Sequence, residues 1–283
     1  MPPTRENKPA RARWAWVAAA VLACILAILL ALLALAPEFG PSGGGRGVLG
    51  GGALAAAGGG DGSPLRLQAK ASPYSTLRAD QAPEVARVFQ KHFADPKLII
   101  DATAHIGGDT VHFMTLFPRA AVVAVEVNPA TFALLQANLA AAAGAAVPAA
   151  GAAAGGAPQV EALLANGVDF LRDTPLRADF VYLDPPWGGP SYWKHKSMHL
   201  FLNDAAGKRW DISSVVNTVL RRGVAPTAVL KVPFNFDVRR FAARAAAPIA
   251  VCPIGHSSSS ESRAAFQLIL IGAAAAAMGR KSA

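Results

Sequence analysis

The sequence predicts an α/β domain built on a doubly wound, mostly parallel sheet. Short apolar runs rich in β-branched residues alternate with segments of helical spacing between residues 97 and 271. This alternation is typical of parallel strands joined by helices that cover both faces of a sheet. In addition, a polar, glycine-rich or proline-rich segment follows four of the predicted strands. Ligands of doubly wound folds bind outside the carboxyl ends of the strands, so these four segments are the candidates for a functional site.

The individual elements are predicted from their apolar spacing. Strands are expected at residues 97–100, 121–127, 160–164, 180–183, 228–232 and 266–271. Helices are expected at residues 111–117, 129–139 and 212–221, and a turn is expected at Asn166 and Gly167. An Ala/Gly-rich patch at residues 140–158 is expected to extend a surface loop or to fray a helix end.

Composition and charge exclude several classes of protein. The 283 residues include 27 basic and 18 acidic side chains, and the net charge of +9 fits an anionic partner such as nucleic acid or a membrane surface. Most of this charge lies after residue 62, which favours an anionic substrate. The two cysteines, Cys24 and Cys252, exclude a disulfide scaffold and a cysteine-based zinc site. Because the six histidines lack ligand spacing, no metal centre is expected.

The N-terminal region is predicted to anchor the protein in a membrane. Residues 14–36 form an uncharged apolar run that is long enough, as a helix, to cross the ~30 Å hydrocarbon core. Residues 1–13 form a basic flank before it. Two alternatives remain open: a signal peptide with its cleavage site at residues 34–36, and a translation start downstream of the run.

The remaining domain boundaries follow from composition. Residues 37–62 are rich in Gly and Ala and cannot bury enough apolar surface to offset their ordering entropy, so we predict a flexible linker. The folded domain is expected at residues 63–272, followed by a disordered tail at residues 273–283.

The first three strand ends carry acidic residues that suit a nucleoside. The first strand ends in Asp101, and a loop with a Gly-Gly turn leads from it into a helix, which suits either a bound ligand or a plain tight turn. The second strand ends in Glu126, whose carboxylate can accept from both hydroxyls of a ribose or can cap the next helix. After the third strand, Asp169 and Phe170 suit the amine and the ring of adenine, with an exposed turn aspartate as the alternative.

The segment after the fourth strand is the most specific feature of the sequence. It reads Asp184-Pro185-Pro186-Trp187, followed by two glycines. The two prolines fix the backbone and donate no hydrogen bonds. The neighbouring carbonyl groups and the Asp184 carboxylate can therefore point at one exocyclic amine, while Trp187 supplies a flat surface for a base. A purely structural turn rarely needs this combination.

These segments together resemble the RNA cap guanine-N2 methyltransferases, the trimethylguanosine synthases. The strongest match is Pro-Pro-Trp-Gly-Gly-Pro-x-Tyr at residues 185–192. The further matches are Ile-Ile-Asp-Ala at 99–102, Gly-Gly-Asp-Thr at 107–110, Val-Ala-Val-Glu-Val-Asn-Pro at 123–129, Gly-Val-Asp-Phe-Leu at 167–171 and Leu-Lys-Val-Pro-Phe-Asn at 230–235. The resemblance covers roughly residues 74–271.

The resemblance implies a Rossmann-like class I methyltransferase fold, S-adenosylmethionine as the methyl donor, and the N2 amine of the 7-methylguanosine cap of RNA as the acceptor. It also implies three groups of site residues. The catalytic group is Asp184, Pro185, Pro186 and Trp187. The donor-binding group is Asp101, Thr103, Gly107, Thr110, Glu126, Asp169 and Phe170. The substrate-binding group is Trp187, Gly188, Tyr192, Lys194, Lys231 and Asn235, in which the lysines, together with Lys196, are candidates for phosphate contacts.

Other functions remain open because the sequence departs from the family pattern. Asp184 stands where cellular members often carry serine, and the segment before the first strand is short. The alternatives are an adenine-N6 methyltransferase, a ribosomal guanine-N2 methyltransferase and a catalytically inactive, membrane-tethered RNA-binding protein.

The location of the protein is inferred from its chemistry. The positive-inside rule would carry the domain across the membrane, whereas the donor and RNA require an RNA-containing compartment, and we give the chemistry priority. The bias towards Ala, Gly, Arg and Pro indicates a GC-rich genome such as that of a large DNA virus, within whose host cell the protein would act.

Overall fold

The computed structural model describes residue 77 and residues 81–145, 159–189, 191–255 and 266–279. The predicted basic flank, membrane helix and linker lie outside these residues and stay predictions. Among the described residues, no helix combines the length and the hydropathy that crossing a membrane requires.

The described elements alternate between strand and helix over most of the chain. The helices are α1 (Ala82–His92), α2 (Gly108–Leu116), α3 (Pro129–Ala145), α4 (Gly167–Asp173), α5 (Ile212–Arg221), α6 (Val238–Ala242) and α7 (Ala273–Gly279). The strands are β1 (Leu98–Asp101), β2 (Ala121–Glu126), β3 (Val160–Leu164), β4 (Phe180–Leu183), β5 (Phe201–Asn203), β6 (Arg209–Asp211), β7 (Thr227–Pro233), β8 (Ile249–Ile254) and β9 (Phe266–Gly272).

Seven strands form one sheet in the order β3-β2-β1-β4-β7-β9-β8, and β5 and β6 form a separate hairpin. The neighbours from β3 to β7 are parallel. β9 runs antiparallel to both β7 and β8. The predicted Rossmann-like, mostly parallel sheet is therefore confirmed. The chain places β2 and β3 on one side of β1 and then β4 on its other side, so the strand order reverses between β1 and β4.

Both faces of this sheet are covered, since the central strands β1, β4 and β7 are buried at nearly every position. Val181 and Leu183 of β4 belong to one hydrophobic core, on the side of α4, α5 and α6. Phe180 and Tyr182 belong to the other core, on the side of α1, α2, α3 and α7. This second core contains a cluster of aromatic rings, in which Phe93 and Phe180 have ring centroids 4.3 Å apart.

Two predictions about local structure are wrong. The predicted turn at Asn166 and Gly167 is the start of α4, because the Asn166 side chain accepts hydrogen bonds from the N–H groups of Val168 and Asp169 and so caps the helix. The predicted disordered tail is helical from Ala273 to Gly279. There, Ala274 is buried and its N–H donates to Thr227 Oγ1 over 3.1 Å.

Gly272, at the end of β9, provides a test of this packing. Its φ is +101°, and an added Cβ would lie 2.4 Å from the carbonyl oxygen of Pro226. We expect Gly272→Ala to lower the free energy of unfolding by more than ~2 kcal/mol, because it adds a backbone clash to the cost of a left-handed conformation.

The matched control is Gly207→Ala in the β5–β6 hairpin, where φ is +81° and no atom lies within 4 Å of the added Cβ. This variant should lose only the ~1–2 kcal/mol of the left-handed conformation. Denaturant unfolding measures both variants, and equal losses would contradict the proposed clash.

Candidate functional site

The predicted site residues gather at one edge of the sheet. Asp101 ends β1, Glu126 ends β2, Asp184 follows β4, and Asn235 follows β7. Because these strands are parallel, their carboxyl ends meet at the same edge, where the amino ends of α2 and α4 also lie.

Asp101 lies beneath the first loop and is not exposed on it. Its carboxylate accepts from Thr110 Oγ1 over 2.6 Å and from the Thr103 N–H over 3.3 Å, and both Asp101 and Thr110 are buried. Burial raises the pKa of Asp101 to about 7. The expectation that its carboxylate faces the donor does not hold in this structure, because the loop covers it. Asp101 and Thr110 instead fix the shape of the loop.

The first loop turns sharply before α2. Gly107 caps α2 with a φ of +90°, and an added Cβ would lie 2.8 Å from Leu135 Cδ1 of α3. Glycine at this position therefore lets the loop pass directly over α3.

Glu126 joins the loop after β1 to the loop after β2. Its carboxylate accepts from the His105 N–H over 3.0 Å and from the Asn128 N–H over 2.7 Å. Beside it, at the ends of β2 and β3, Val127 is 59% exposed and Leu164 is 51% exposed. This apolar surface was not predicted from the sequence, and it has the character of a base-binding surface.

The structure separates the two predicted adenine contacts. Phe170 is buried in the core on the side of α5, so its ring is not available for stacking on a ligand. Asp169 accepts from the Ala205 N–H over 2.8 Å and pairs with Arg172 over 2.7 Å. The expectation for Phe170 is therefore wrong, because its side chain completes the core under α4.

A buried ion triad lies under the segment after β4. The ammonium group of Lys231 lies 3.0 Å from a carboxylate oxygen of Asp109 and 3.0 Å from one of Asp184. The Tyr182 hydroxyl donates to the same oxygen of Asp109 over 2.9 Å. The Asp184 N–H donates to Thr103 Oγ1 over 2.7 Å, which joins this segment to the first loop.

Lys231 is not a surface lysine, so the prediction that it contacts phosphate is wrong. It is 6% exposed and belongs to the buried central strand β7. In the sequence, Lys231 is a lone lysine within an apolar run. This pattern indicates a buried lysine, which needs buried carboxylate partners. Asp109 and Tyr182, which complete the network, were also missed as site residues.

The triad perturbs the pKa values of its members. Burial raises the pKa of Asp184 to about 6, and the neighbouring Lys231 limits this rise. Burial lowers the pKa of Lys231, but the carboxylates of Asp109 and Asp184 outweigh burial and raise it above its usual value. Lys231 therefore stays charged, and the fully ionised triad carries one net negative charge.

Trp187 lies next to Asp184 of this triad. It is half-buried, and its ring meets that of Tyr192 edge-on with centroids 5.2 Å apart. Pro185 is buried, whereas Pro186 and Gly188 are exposed. The structure thus brings the Asp-Pro-Pro-Trp segment and Tyr192 together.

Asn235 supports this segment from β7. Its side-chain amide donates to the carbonyl oxygens of Tyr192, over 3.0 Å, and His195, over 2.7 Å. Lys194 is exposed, with its ammonium group 5.4 Å from the centroid of the Trp193 ring. Asn235 therefore acts on the backbone of residues 192–195, while Lys194 lies at the outer rim.

Two solved structures that are similar to this chain at low identity are described as methyltransferases. An O-methyltransferase from Bacillus cereus in complex with SAH is 12% identical with a TM-score of 0.45, over 74% of this chain and 88% of that one. The methyltransferase domain of a bacterial Hen1 is 10% identical with a TM-score of 0.45, over 69% of this chain and 98% of that one. Neither similarity is close enough to indicate a substrate.

Two curated proteins are more similar in sequence. The trimethylguanosine synthase of Schizosaccharomyces pombe is 29% identical over 156 residues, which are 53% of this chain and 56% of that protein. Uncharacterized protein L320 of Acanthamoeba polyphaga mimivirus is 26% identical over 147 residues, 51% of this chain and 50% of that protein. The chain thus spans about half the length of these relatives. The viral relative supports the predicted origin in a large DNA virus, which stays a prediction.

The family model described as RNA cap guanine-N2 methyltransferase matches residues 96–247, more than half of the chain. The matched region begins before β1 and includes all the strand ends of the site. The chain therefore belongs to the RNA cap guanine-N2 methyltransferase family, whose methyl donor is S-adenosylmethionine.

Proposed function

We propose that the protein transfers a methyl group from S-adenosylmethionine to the exocyclic N2 amine of guanine in the 7-methylguanosine cap of RNA. The observation that carries this proposal is the placement of Trp187 and Asp184 side by side at the strand-end edge, in a Pro-Pro-Trp-Gly-Gly segment. A flat aromatic surface beside a carboxylate suits a base that presents an exocyclic amine.

The residues at the ends of β2 and β3 fit the donor. The Glu126 carboxylate, 8% exposed, has lone pairs beyond its two backbone bonds to accept from ribose hydroxyls. Val127 and Leu164 offer the apolar surface that an adenine ring needs. When bound, S-adenosylmethionine supplies a methyl group made electrophilic by its sulfonium.

The acceptor side orients a weak nucleophile. The lone pair of the guanine N2 amine is delocalised into the ring, so alignment matters, and orientation alone can supply ~7–11 kcal/mol. We infer that the Asp184 carboxylate and the Pro185 carbonyl accept the amine hydrogens and direct the lone pair towards the methyl group. A 7-methylguanine ring is cationic, so stacking on Trp187 gains a cation–π contribution of roughly 0.5–2 kcal/mol.

The ion triad stabilises the charge that the reaction creates. Attack by N2 would form the N–C bond while the C–S bond of the donor breaks and its electron pair stays on sulfur. The amine would then carry a positive charge until it loses a proton to solvent. The net negative charge of Asp109, Lys231 and Asp184 lies beneath this amine and favours that charge. Lys231 also holds Asp184 in one orientation and keeps it ionised at neutral pH.

Substitution of Trp187 tests the proposed function. A labelled-methyl assay compares 7-methylguanosine-capped, uncapped and adenine-rich RNA, and we expect N2-methylguanosine from the capped RNA. Trp187→Ala should remove stacking worth ~1–3 kcal/mol and lower methylation about tenfold or more, while Trp187→Phe recovers part of the loss. Donor affinity should remain, because the proposed donor contacts lie at the ends of β2 and β3.

Other outcomes of this assay would contradict the proposal. Label on adenine-rich or uncapped RNA would indicate an adenine-N6 or a ribosomal guanine-N2 enzyme, and no label with intact RNA binding would indicate an inactive binding protein. Loss of donor affinity together with ~3–5 kcal/mol of stability in Trp187→Ala would show that the ring is a core residue.

The donor assignment is tested at Glu126. Glu126→Ala should weaken binding of S-adenosylmethionine by the ~1.5–3 kcal/mol typical of hydrogen bonds to a charged group. Glu161→Ala, an exposed glutamate of the neighbouring strand β3, is the matched control and should bind normally. Titration calorimetry measures both, and an unchanged dissociation constant for Glu126→Ala would remove the ribose assignment.

The triad makes a prediction about pH. If Asp184 must be ionised, kcat/KM of the wild type falls as pH drops through about 6, where this carboxyl becomes protonated. Lys231→Met removes the cation that lowers the pKa of Asp184, so the midpoint should rise. Asp109→Asn removes a carboxylate that raises the pKa, so the midpoint should fall.

The two substitutions serve as controls for each other, since each breaks the same buried network with the opposite effect on charge. Thermal unfolding at each pH establishes that the variants are folded during the assay. Identical midpoints in all three proteins would show that Asp184 is not the titrating group.

A further inference from the structure

An exposed aromatic and basic segment lies beside the site and takes no part in the methyl transfer described above. Trp193 is 59% exposed, an unusual state for so large an apolar side chain. Lys194 and Lys196 are exposed on either side of His195. We call residues 193–196 the Trp–Lys surface.

The Trp–Lys surface is held in place by the loop after β7. Asn235 donates from its side chain to the carbonyl groups of Tyr192 and His195. The Met198 N–H donates to the Asn235 carbonyl over 2.8 Å, and the Asp237 N–H donates to the Met198 carbonyl over 3.0 Å. These bonds on both sides of residues 193–196 fix the surface relative to the sheet edge that carries Trp187.

The charge of this surface is not neutralised within the described part of the chain. None of the ion pairs among the described residues includes Lys194 or Lys196. The nearby Asp237 carboxylate is occupied by the Arg240 N–H, over 2.9 Å, and by Ser197 Oγ, over 3.4 Å. An exposed tryptophan flanked by unneutralised lysines has the chemistry of a single-stranded nucleic acid site, in which bases stack and cations meet phosphates.

We propose that the Trp–Lys surface binds the RNA chain that follows the cap, with Trp193 stacked on a base and Lys194 and Lys196 against phosphates. This inference rests on the proposed function. The ring of Tyr192 contacts the ring of Trp187, and Tyr192 directly precedes Trp193 in the chain. A guanine stacked on Trp187 would therefore be separated from the Trp–Lys surface by one aromatic residue. The protein therefore prefers a capped RNA chain to a free cap dinucleotide.

Direct binding measurements on the full chain test this preference. Fluorescence anisotropy compares a 7-methylguanosine-capped RNA of ten nucleotides with the capped dinucleotide, and the wild type should bind the longer RNA more tightly. Trp193→Ala should weaken binding of the RNA about tenfold, the loss expected for one stacked base, and leave dinucleotide binding unchanged. Trp193→Phe should restore most of the affinity, because a smaller ring still stacks.

The lysines are tested through the salt dependence of the same binding. Lys194→Ala/Lys196→Ala should reduce the slope of log affinity against log salt by roughly 1.4, since each contact to a single-stranded phosphate contributes about 0.7. The matched control is Arg221→Ala/Arg222→Ala, which removes two exposed charges at the amino end of β7, the opposite edge of the sheet. This control should keep the wild-type slope.

Several results would overturn the proposal. Equal wild-type affinity for the RNA and the dinucleotide would do so, as would an equal loss on both ligands in Trp193→Ala. Vesicles containing phosphatidylserine provide a further arm, because an effect of Trp193→Ala on vesicle binding alone would assign the surface to a membrane. Since binding does not require transfer, a wild type that binds in the expected way but does not methylate capped RNA would contradict the proposed function and leave this surface standing.

Discussion

The buried salt bridge of Lys231 with Asp109 and Asp184 is the interaction on which the rest of the site depends. It connects β7 to α2 and to the segment after β4, and Lys231 and Asp109 are 122 residues apart in sequence. Burying three charges costs several kcal/mol of desolvation for each ion, which only good geometry offsets. A shift of α2 or of the Asp184 segment would leave a buried charge without a partner. The triad therefore permits one relative placement of these elements.

Hydrogen bonds from loop backbones extend this constraint across the sheet edge. Thr103 accepts from the Asp184 N–H and so ties the end of β4 to the loop after β1. Glu126 accepts from the His105 N–H and ties that loop to the end of β2. The proposed donor side and the proposed acceptor side are thus connected through one loop, and displacement of this loop would alter both. On the proposed function, such coupling favours transfer because the methyl group and the amine must be in line.

The sequence predicted the elements whose pattern is local. The runs at 160–164 and 180–183 are strands with the predicted bounds, because an apolar run of this length in an alternating chain has few other uses. The edge strand β8 was missed, since Pro253 and its half-exposed residues weaken the strand pattern. The triad could not be predicted from spacing, because its members come together only when β4, β7 and α2 pack. Asp101 was recognised as a site residue, but its burial under the loop has no signal in the sequence.

Two charged regions lie at this edge of the sheet, the ion triad and the exposed lysines at the rim. Their charges have opposite signs, and this difference bears on substrate choice. Next to Trp187, the triad carries a net negative charge and is largely buried, so its field acts on a base at short range. At the rim, Lys194 and Lys196 are exposed and act on phosphates, with an influence that salt reduces. A capped RNA fits this arrangement in both parts, because its 7-methylguanine is cationic and its backbone is anionic. An unmethylated guanine or an adenine is uncharged, so an RNA that presents it matches only the positive charge of the rim. On the proposed function, the buried triad therefore selects the cationic base, while the rim retains the chain that carries it.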